Sequence, residues 1–445
     1  MQQKNGTTMV VDEADRTPGI VRESDVRPTV IITGPPWPRS GTARVMQNQI
    51  DYYRARGYMT VFICVPIHCS YTESHSDWDD IKIGIEELGA DRTFFATIDS
   101  HRFLTGKYMA WIQHAFHGTA LDWIVFTAKS AQLTDEALRL IRQQNVVLMH
   151  VNHVFTVGFA QHLLRRTVRA NGHVPMILDT HDIQSNALED RGEINPWTHR
   201  RDGLDHLLSS EMAYLNKANV LVHVSVDDFN FFNRRLPHKK HVLALPTIKE
   251  TSVFCLDVAC QSSIEPIDLL FVGHGTTPNA AGLEWFFEQV WPLIEHRGYR
   301  IKIVGGIEAW VRRELPALYQ RFSSYFVGAI ADLDPAYRAA RCVFAPMVSG
   351  TGISIKTIEA LALGKPFVGT SKAYRGMPMD LIEQAGLRAH DTPQEFADAI
   401  SHALSSEHLA ATASRTAYVR LFSNQASFSS RDEALKIATS KQDTH

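Results

Sequence analysis

Cysteine is scarce in this chain. Only Cys64, Cys69, Cys255, Cys260 and Cys342 occur in 445 residues, and no two form a C-x-x-C pair. An odd count without paired spacing argues against a disulfide framework and against a structural zinc site, and it implies a cytoplasmic compartment. Long apolar runs are missing too: none approaches the roughly 20 residues a membrane span needs. The opening stretch "MQQKNGTTMVVDEADRTPG" lacks the apolar centre of a signal peptide, so a disordered leader is expected over residues 1–27. Neither sign of charge dominates. Lys and Arg number 45 against 48 Asp and Glu, a net charge of −3, and nothing global calls for nucleic acid. Finally, no G-x-G-x-x-G follows the first strand-like run, and "TVFICVPIH" lacks the acidic strand end of a dinucleotide site. A nicotinamide dehydrogenase is therefore disfavoured.

What is present is a soluble globular composition, 44% hydrophobic and 21% charged, in a chain long enough for two domains. Short β-branched runs recur: "TVIITG" (29–34), "TVFICV" (60–65), "TFFAT" (93–97), "DWIVFTA" (122–128), "NVVLMH" (145–150), "PMILDT" (175–180) and "NVLVHVS" (219–225). Helical patterns such as "RVMQNQIDYYRARGY" separate most of them. Strands that are apolar throughout and alternate with helices predict a parallel sheet covered on both faces. The alternation lapses at 245–266 and resumes with "IDLLFVG", "RIKIVGG", "SSYFVG", "RCVFAPM" and "KPFVGTS". The expected organisation is an α/β chain with two Rossmann-like, doubly wound domains facing across a cleft. The first spans residues 28–250 and the second 265–415. A helical tail over 416–445 is able to pack back on the first domain. In such sheets ligands sit beyond the carboxyl ends of the strands.

One segment carries concentrated chemistry: "SGTGISIKTIEALALGKP" (349–366). It connects a strand to a helix. Consecutive glycines let backbone N–H groups converge on an anion, and a helix N-terminus adds about half a positive charge. Lys356 adds a full charge. Glu359, one turn further on, cannot attract phosphate but can accept hydroxyl hydrogen bonds from a ribose. Alone, a Gly-x-Gly before a helix is as readily a tight turn. Turn, lysine, glutamate and a following Gly-Lys-Pro together point to a sugar nucleotide.

"GTGISIKTIEALALGKPFVGT" resembles the donor-binding segment of the GT-B glycosyltransferases, especially the large retaining group known as family 4 (glycosyltransferase group 1). "IDLLFVGHGTTPNAAGLEWFFEQVWPLI", "RIKIVGG" and "YFVGAIADLDPAYRAARCVFAPM" continue the likeness in order. In the first half, "LSSEMAYLNKANVLVHVSVDDFNFF" is similar to the family's Glu-containing helix, strand and Ser-x-x-Asp. The resemblance implies a donor site of Gly273, Asn279, Gly305, Gly350, Thr351, Gly352, Ile353, Ser354, Lys356, Thr357 and Glu359. Two departures stand out. The family's Glu-x7-Glu pair keeps only Glu359, because Thr351 stands eight residues earlier, and the usual Arg and Lys of the diphosphate site are missing from "VGHGTTPNAAG".

In the first half, "GPPWPRSGTARV" (34–45) matches the family's cleft-facing loop, with Gly41, Thr42 and Arg44 on the acceptor side. A proline-stiffened turn is the alternative, and Arg39 and Arg44 also suit an ordinary surface. His150 and His153 stand at or just beyond a strand end, where the family places a histidine near the donor sugar, and His150 is the closer match. His181 and Asp182 end another strand. These four are the catalytic candidates, with satisfied structural histidines and a turn-capping Asp as the alternatives. No metal site is expected, nor a prosthetic group. The implied reaction moves a sugar from a UDP- or GDP-sugar to a glycan, lipid-linked or small-molecule acceptor hydroxyl, with retention. Rival readings are a GT-B sugar-nucleotide 2-epimerase and a non-catalytic nucleotide-sugar-binding protein. Two basic stretches, 163–173 and 232–241, are able to meet anionic lipid at the inner face of a membrane or simply to solvate a face.

Overall fold

The computed structural model describes residues 27–38, 40–68, 78–98, 118–168, 173–248, 265–330 and 332–440. Residues 1–26 of the expected leader, Arg39, Cys69, Cys255, Cys260 and most of the lapse at 245–266 lie outside the described residues. Cys64 and Cys342 are buried free thiols.

Two all-parallel sheets form the frame. The first has seven strands: β1 (Pro28–Gly34), β2 (Met59–Cys64), β3 (Arg92–Phe95), β4 (Asn145–Asn152), β5 (Met176–Asp179), β6 (Val220–His223) and β7 (Lys240–Leu243). They are ordered β3-β2-β1-β4-β5-β6-β7. The second has five: β8 (Ile267–Val272), β9 (Ile301–Val304), β10 (Phe326–Gly328), β11 (Ala340–Ala345) and β12 (Phe367–Gly369). Their order is β10-β9-β8-β11-β12. Central strands are apolar on both faces because helices cover both. Val30 and Ile32 of β1 join one core cluster and Ile31 joins the other. Strand order reverses between β1 and β4 and again between β8 and β11, which opens a crevice at the carboxyl ends of each pair. The loops after β1, β4, β8 and β11 therefore line the site.

Two expectations need correction. The run 122–128 is no strand; it lies within the helix Ala120–Ser130. Thr119 and Asp122 form a reciprocal capping box there, and Leu121, Ile124, Val125 and Ala128 are buried. A buried helix reads as continuously apolar, as a buried strand does, and the cap decides between them. Conversely, β7 begins inside the basic stretch 232–241 and pairs only with β6. Four edge residues, of which only Val242 is fully buried, leave little apolar signal.

The final helix, Asn424–Thr439, packs across the first sheet rather than the second. Ala434 and Ala438 belong to a first-sheet core cluster, and Asp432 accepts hydrogen bonds from Tyr52 Oη at 2.9 Å and Arg56 Nη2 at 2.6 Å. A direct bridge joins the two domains near the cleft. The Val226 N–H donates to Gly376 O at 2.9 Å, and the Gly376 N–H donates to Asp227 Oδ2 at 3.2 Å. Among the described residues, no helix is long and apolar enough to cross a membrane.

Candidate functional site

β11 ends at Ala345 and the helix Ile355–Ala362 follows the glycine turn. Gly350 and Gly352 take left-handed φ values of +130° and +64°. Their missing side chains also make room. A Cβ on Gly350 would lie 3.2 Å from Arg375 Nε, and one on Gly352 would lie 2.5 Å from Asp182 Oδ1. Arg375 holds the turn in place by donating from Nε to Thr351 O at 3.0 Å. Ser354 precedes the helix, and its hydroxyl makes no cap hydrogen bond. That hydroxyl instead lies 2.9 Å from Thr357 Oγ1, which also reaches Ala373 O at 2.8 Å. First-turn amides left without a side-chain cap form a ready anion site.

Lys356 is half-buried at the start of this helix. Its ammonium donates to Asn279 Oδ1 and lies 4.7 Å from the Phe271 ring centroid. Burial, with Arg375 nearby, pulls its pKa down to about 7, while Glu359 opposes that shift. Asn279 is fixed in turn by donating to His274 O at 2.8 Å. Glu359 accepts from Tyr337 Oη at 3.3 Å; burial raises its pKa, and Arg44 of the first domain pulls the other way. Gly273 and Gly305 serve main-chain packing. A Cβ on Gly305, where φ is +117°, would lie 2.2 Å from Gly273 O.

The facing wall comes from the first domain. Ser40 caps the helix Gly41–Ala55, accepting from the Ala43 N–H. A Cβ on Gly41 would lie 3.3 Å from Ile355 Cγ1, so two helix starts meet across the cleft. His153 and His181 both carry positive φ, 61° and 63°, which is uncommon for a side-chain-bearing residue. Their rings stack 4.1 Å apart. Burial holds His153 well below the usual histidine pKa and lowers His181 to about 4, so both are neutral at pH 7. His153 Nε2 lies 3.0 Å from Thr42 Oγ1. His181 Nε2 lies 2.8 Å from Asn152 Oδ1; that oxygen can only accept, so Nε2 carries the proton.

Behind this wall runs a buried polar network. Gln49 Nε2 donates to Asn152 Oδ1 at 2.8 Å and to Asp179 Oδ2 at 2.7 Å, and Asn152 Nδ2 returns a bond to Gln49 Oε1 at 2.9 Å. Asp179 also accepts from His150 Nε2 at 2.8 Å and from Arg431 Nη1 at 3.4 Å. Burial resists ionisation of Asp179, but His150 and Arg431 outweigh it and hold the carboxyl well below its usual range. The two strand-end histidines thus separate. His150 has Tyr53 Oη at 2.7 Å on its other nitrogen and is fully engaged behind the wall, while His153 faces Thr42.

Asp182 reaches the cleft rim, where burial raises its pKa to about 6 against the pull of Arg375. Asp228 and Glu211 are buried close by. Glu211 accepts from the Gln184 and Ser185 N–H groups, both at 2.9 Å, and so fixes the start of the helix Gln184–Asp190. Among the described residues no group of three or more His, Cys, Asp or Glu is arranged to hold a metal.

Gly41, Thr42, His153, His181 and Asp182 therefore stand opposite Gly350–Ser354, with Lys356, Thr357, Glu359 and Asn279 behind the turn. Sequence reading missed Gln49, Asn152, Arg375 and Arg431. None lies in a glycine-rich or repeated pattern, and only "YRGMP", an arginine beside a turn glycine, carries a faint local signal.

Residues 266–406 match the family of group 1 glycosyl transferases. No curated protein matches the chain in sequence. Among solved structures, HepE from Anabaena in complex with UDP and glucose is similar, with a TM-score of 0.59 and 13% identity over 92% of this chain and 99% of that one. Sucrose-phosphate synthase from Thermosynechococcus elongatus has a TM-score of 0.60 and 17% identity over 92% and 98%. The pneumococcal O-GlcNAc transferase GtfA in complex with UDP and GlcNAc has 0.58 and 11% over 93% and 100%. Identities this low speak for the shared two-domain fold.

Proposed function

We propose that this chain, whose residues 266–406 match the group 1 glycosyl transferases and whose fold is shared with the solved structures above, is a glycosyltransferase that moves a hexose from a nucleoside diphosphate sugar, UDP-linked in the first instance, to an acceptor hydroxyl with retention of configuration. The observation that carries this reading is the uncapped helix start behind Gly350 and Gly352, with Lys356 and Glu359 half-buried on one side of it. Similar proteins hold UDP or a UDP-sugar.

Backbone amides at Thr351–Ser354 and the helix terminus would meet the diphosphate, and Lys356 would add a full charge as the sugar–oxygen bond breaks. Charge that develops on the leaving group is stabilised most by fixed dipoles in a water-poor site. Those groups support turnover without a divalent cation. Glu359 would accept the ribose hydroxyls; a hydroxyl pair there offsets the cost of burying its carboxylate. Thr42 and the neutral His153 and His181 would line the sugar side. The acceptor hydroxyl would attack the anomeric carbon on the face the diphosphate leaves, its proton passing to a departing phosphate oxygen. The bridge through Gly376 supports closure of the two walls before reaction.

Purified protein titrated with UDP-, GDP- and dTDP-sugars tests this reading by melting shift and donor hydrolysis. Glu359→Ala should weaken nucleotide binding by about 10- to 100-fold, the worth of hydrogen bonds to a charged group, at unchanged fold. Unchanged affinity removes Glu359 from the site. Formation of an epimer from donor alone would replace transfer by epimerisation.

A further inference from the structure

A second charged depression lies at the far end of the second sheet. The proposed donor site at Gly350–Glu359, the cradle, sits beyond the carboxyl end of β11, whereas this groove, about 490 Å³, opens at the amino ends of β11 and β12, beside Ala340 and Pro366. Its charged lining is Arg338, Arg341, Lys365 and Arg415 against one carboxylate, Glu407, with His408 at the edge.

That carboxylate is already engaged. Arg341 Nε donates to Glu407 Oε1 at 2.7 Å, and Arg341 Nη1 donates to Asp268 Oδ1 at 2.8 Å. Arg338, Lys365 and Arg415 complete the basic lining. Lys365 spends two of its three N–H donors on main-chain oxygens, those of Arg338 and Ala340, both at 2.9 Å. Among the described residues neither Lys365 nor Arg415 is ion-paired to a carboxylate. Burial lowers the Lys365 pKa; Glu407 opposes that shift, while Arg338 and Arg415 add to it, so these charges share one space. Arg415 is also placed. Gly364 has φ +60°, and a Cβ there would lie 2.4 Å from Arg415 Nε, so the arginine lies directly on a turn that only glycine leaves open. Cations gathered in a depression focus their field on one point, and arginine forks match phosphoryl oxygens.

We propose that the groove formed by Arg338, Lys365 and Arg415 is a binding site for a phosphoryl anion, separate from the donor cradle. It does not depend on the donor reading. The ligand is a soluble phosphate ester or the phosphate of a lipid headgroup, and the chemistry of recognition is the same for both.

Inorganic pyrophosphate is the probe for the site, and vesicles of phosphatidylglycerol against phosphatidylcholine distinguish the source. Calorimetric titration of the full chain should resolve two pyrophosphate sites. Arg338→Glu/Arg415→Glu should weaken one at least tenfold and leave the other, while Lys356→Ala does the reverse. The urea midpoint of each variant checks folding, with Arg338→Gln/Arg415→Gln as the milder pair should the reversal unfold. Sedimentation with phosphatidylglycerol that is lost in the double variant assigns a lipid phosphate. Pyrophosphate binding without vesicle binding assigns a soluble ligand. If pyrophosphate and vesicles bind the double variants as they bind the wild type, or if pyrophosphate occupies only the cradle and no vesicle binds, the proposal is overturned.

Discussion

The two walls of the cleft are built in opposite ways. The second-domain wall is one contiguous segment: a glycine turn, a helix start, a lysine and a glutamate within ten residues. The first-domain wall is gathered from Thr42, Asn152, His153, His181 and Asp182 and held from behind by Gln49, Asp179 and, from the last helix, Arg431. A contiguous wall draws its shape from local backbone geometry. A gathered wall draws it from hydrogen bonds that must all be satisfied together. The first should therefore fail through strain and charge, the second through loss of folding.

The sharpest way to break that contrast is Asp179→Ala. It strips a carboxylate from His150, Gln49 and Arg431 and leaves a buried guanidinium unpaired. Such removals cost about 3–5 kcal/mol. Urea denaturation should show that loss; a change under about 1 kcal/mol would mean that the network does not hold the wall.

Gly352→Ala should act without unfolding the chain. An alanine at φ +64° costs about 1–2 kcal/mol, and its methyl would press on Asp182. Turnover should drop about tenfold or more. In an Asp182→Ala background the same substitution should cost less, and equal costs in both backgrounds would show that the walls do not touch in the working enzyme.

Proton uptake sharpens the picture of the cradle. With Lys356 pulled from 10.5 down to about 7, the unfolded chain binds a proton between those values that the folded one does not. Stability contributed there rises with pH across that window. Bound diphosphate needs the ammonium charged, so nucleotide affinity should fall above pH 7, by at most about tenfold per unit. Titration at pH 8 in buffers of differing ionisation heat should read up to one proton taken up per nucleotide. Zero uptake would place the diphosphate away from Lys356.

Thr42→Ala should do least. It removes one hydrogen bond to His153, worth about 0.5–1.5 kcal/mol. Nucleotide affinity should stay level while the transfer rate falls a few-fold; a matching loss in both would mean that Thr42 contacts the donor diphosphate.

Legibility followed the same division. The cradle could be read because glycine, a small hydroxyl, lysine and glutamate stand at fixed local offsets that the backbone turns directly into geometry. His181 and Asp182 were legible as polar residues ending an apolar strand. His150 was preferred to His153 on resemblance alone, since three positions of chain say nothing about which ring turns inward to Tyr53 and Asp179. Arg431 gave no sign: its partner Asp179 lies 252 residues away.

Alternating apolar strands and helices were enough, by themselves, to dictate two parallel sheets, since a strand covered on both faces must be apolar throughout. The glycine turn likewise announced a connection from strand to helix. Only the tertiary structure decided that the last helix crosses to the first sheet and that Arg338, Lys365 and Arg415 converge. Each of those outcomes depends on which distant groups satisfy one another once water is excluded, and periodicity along a chain does not record that.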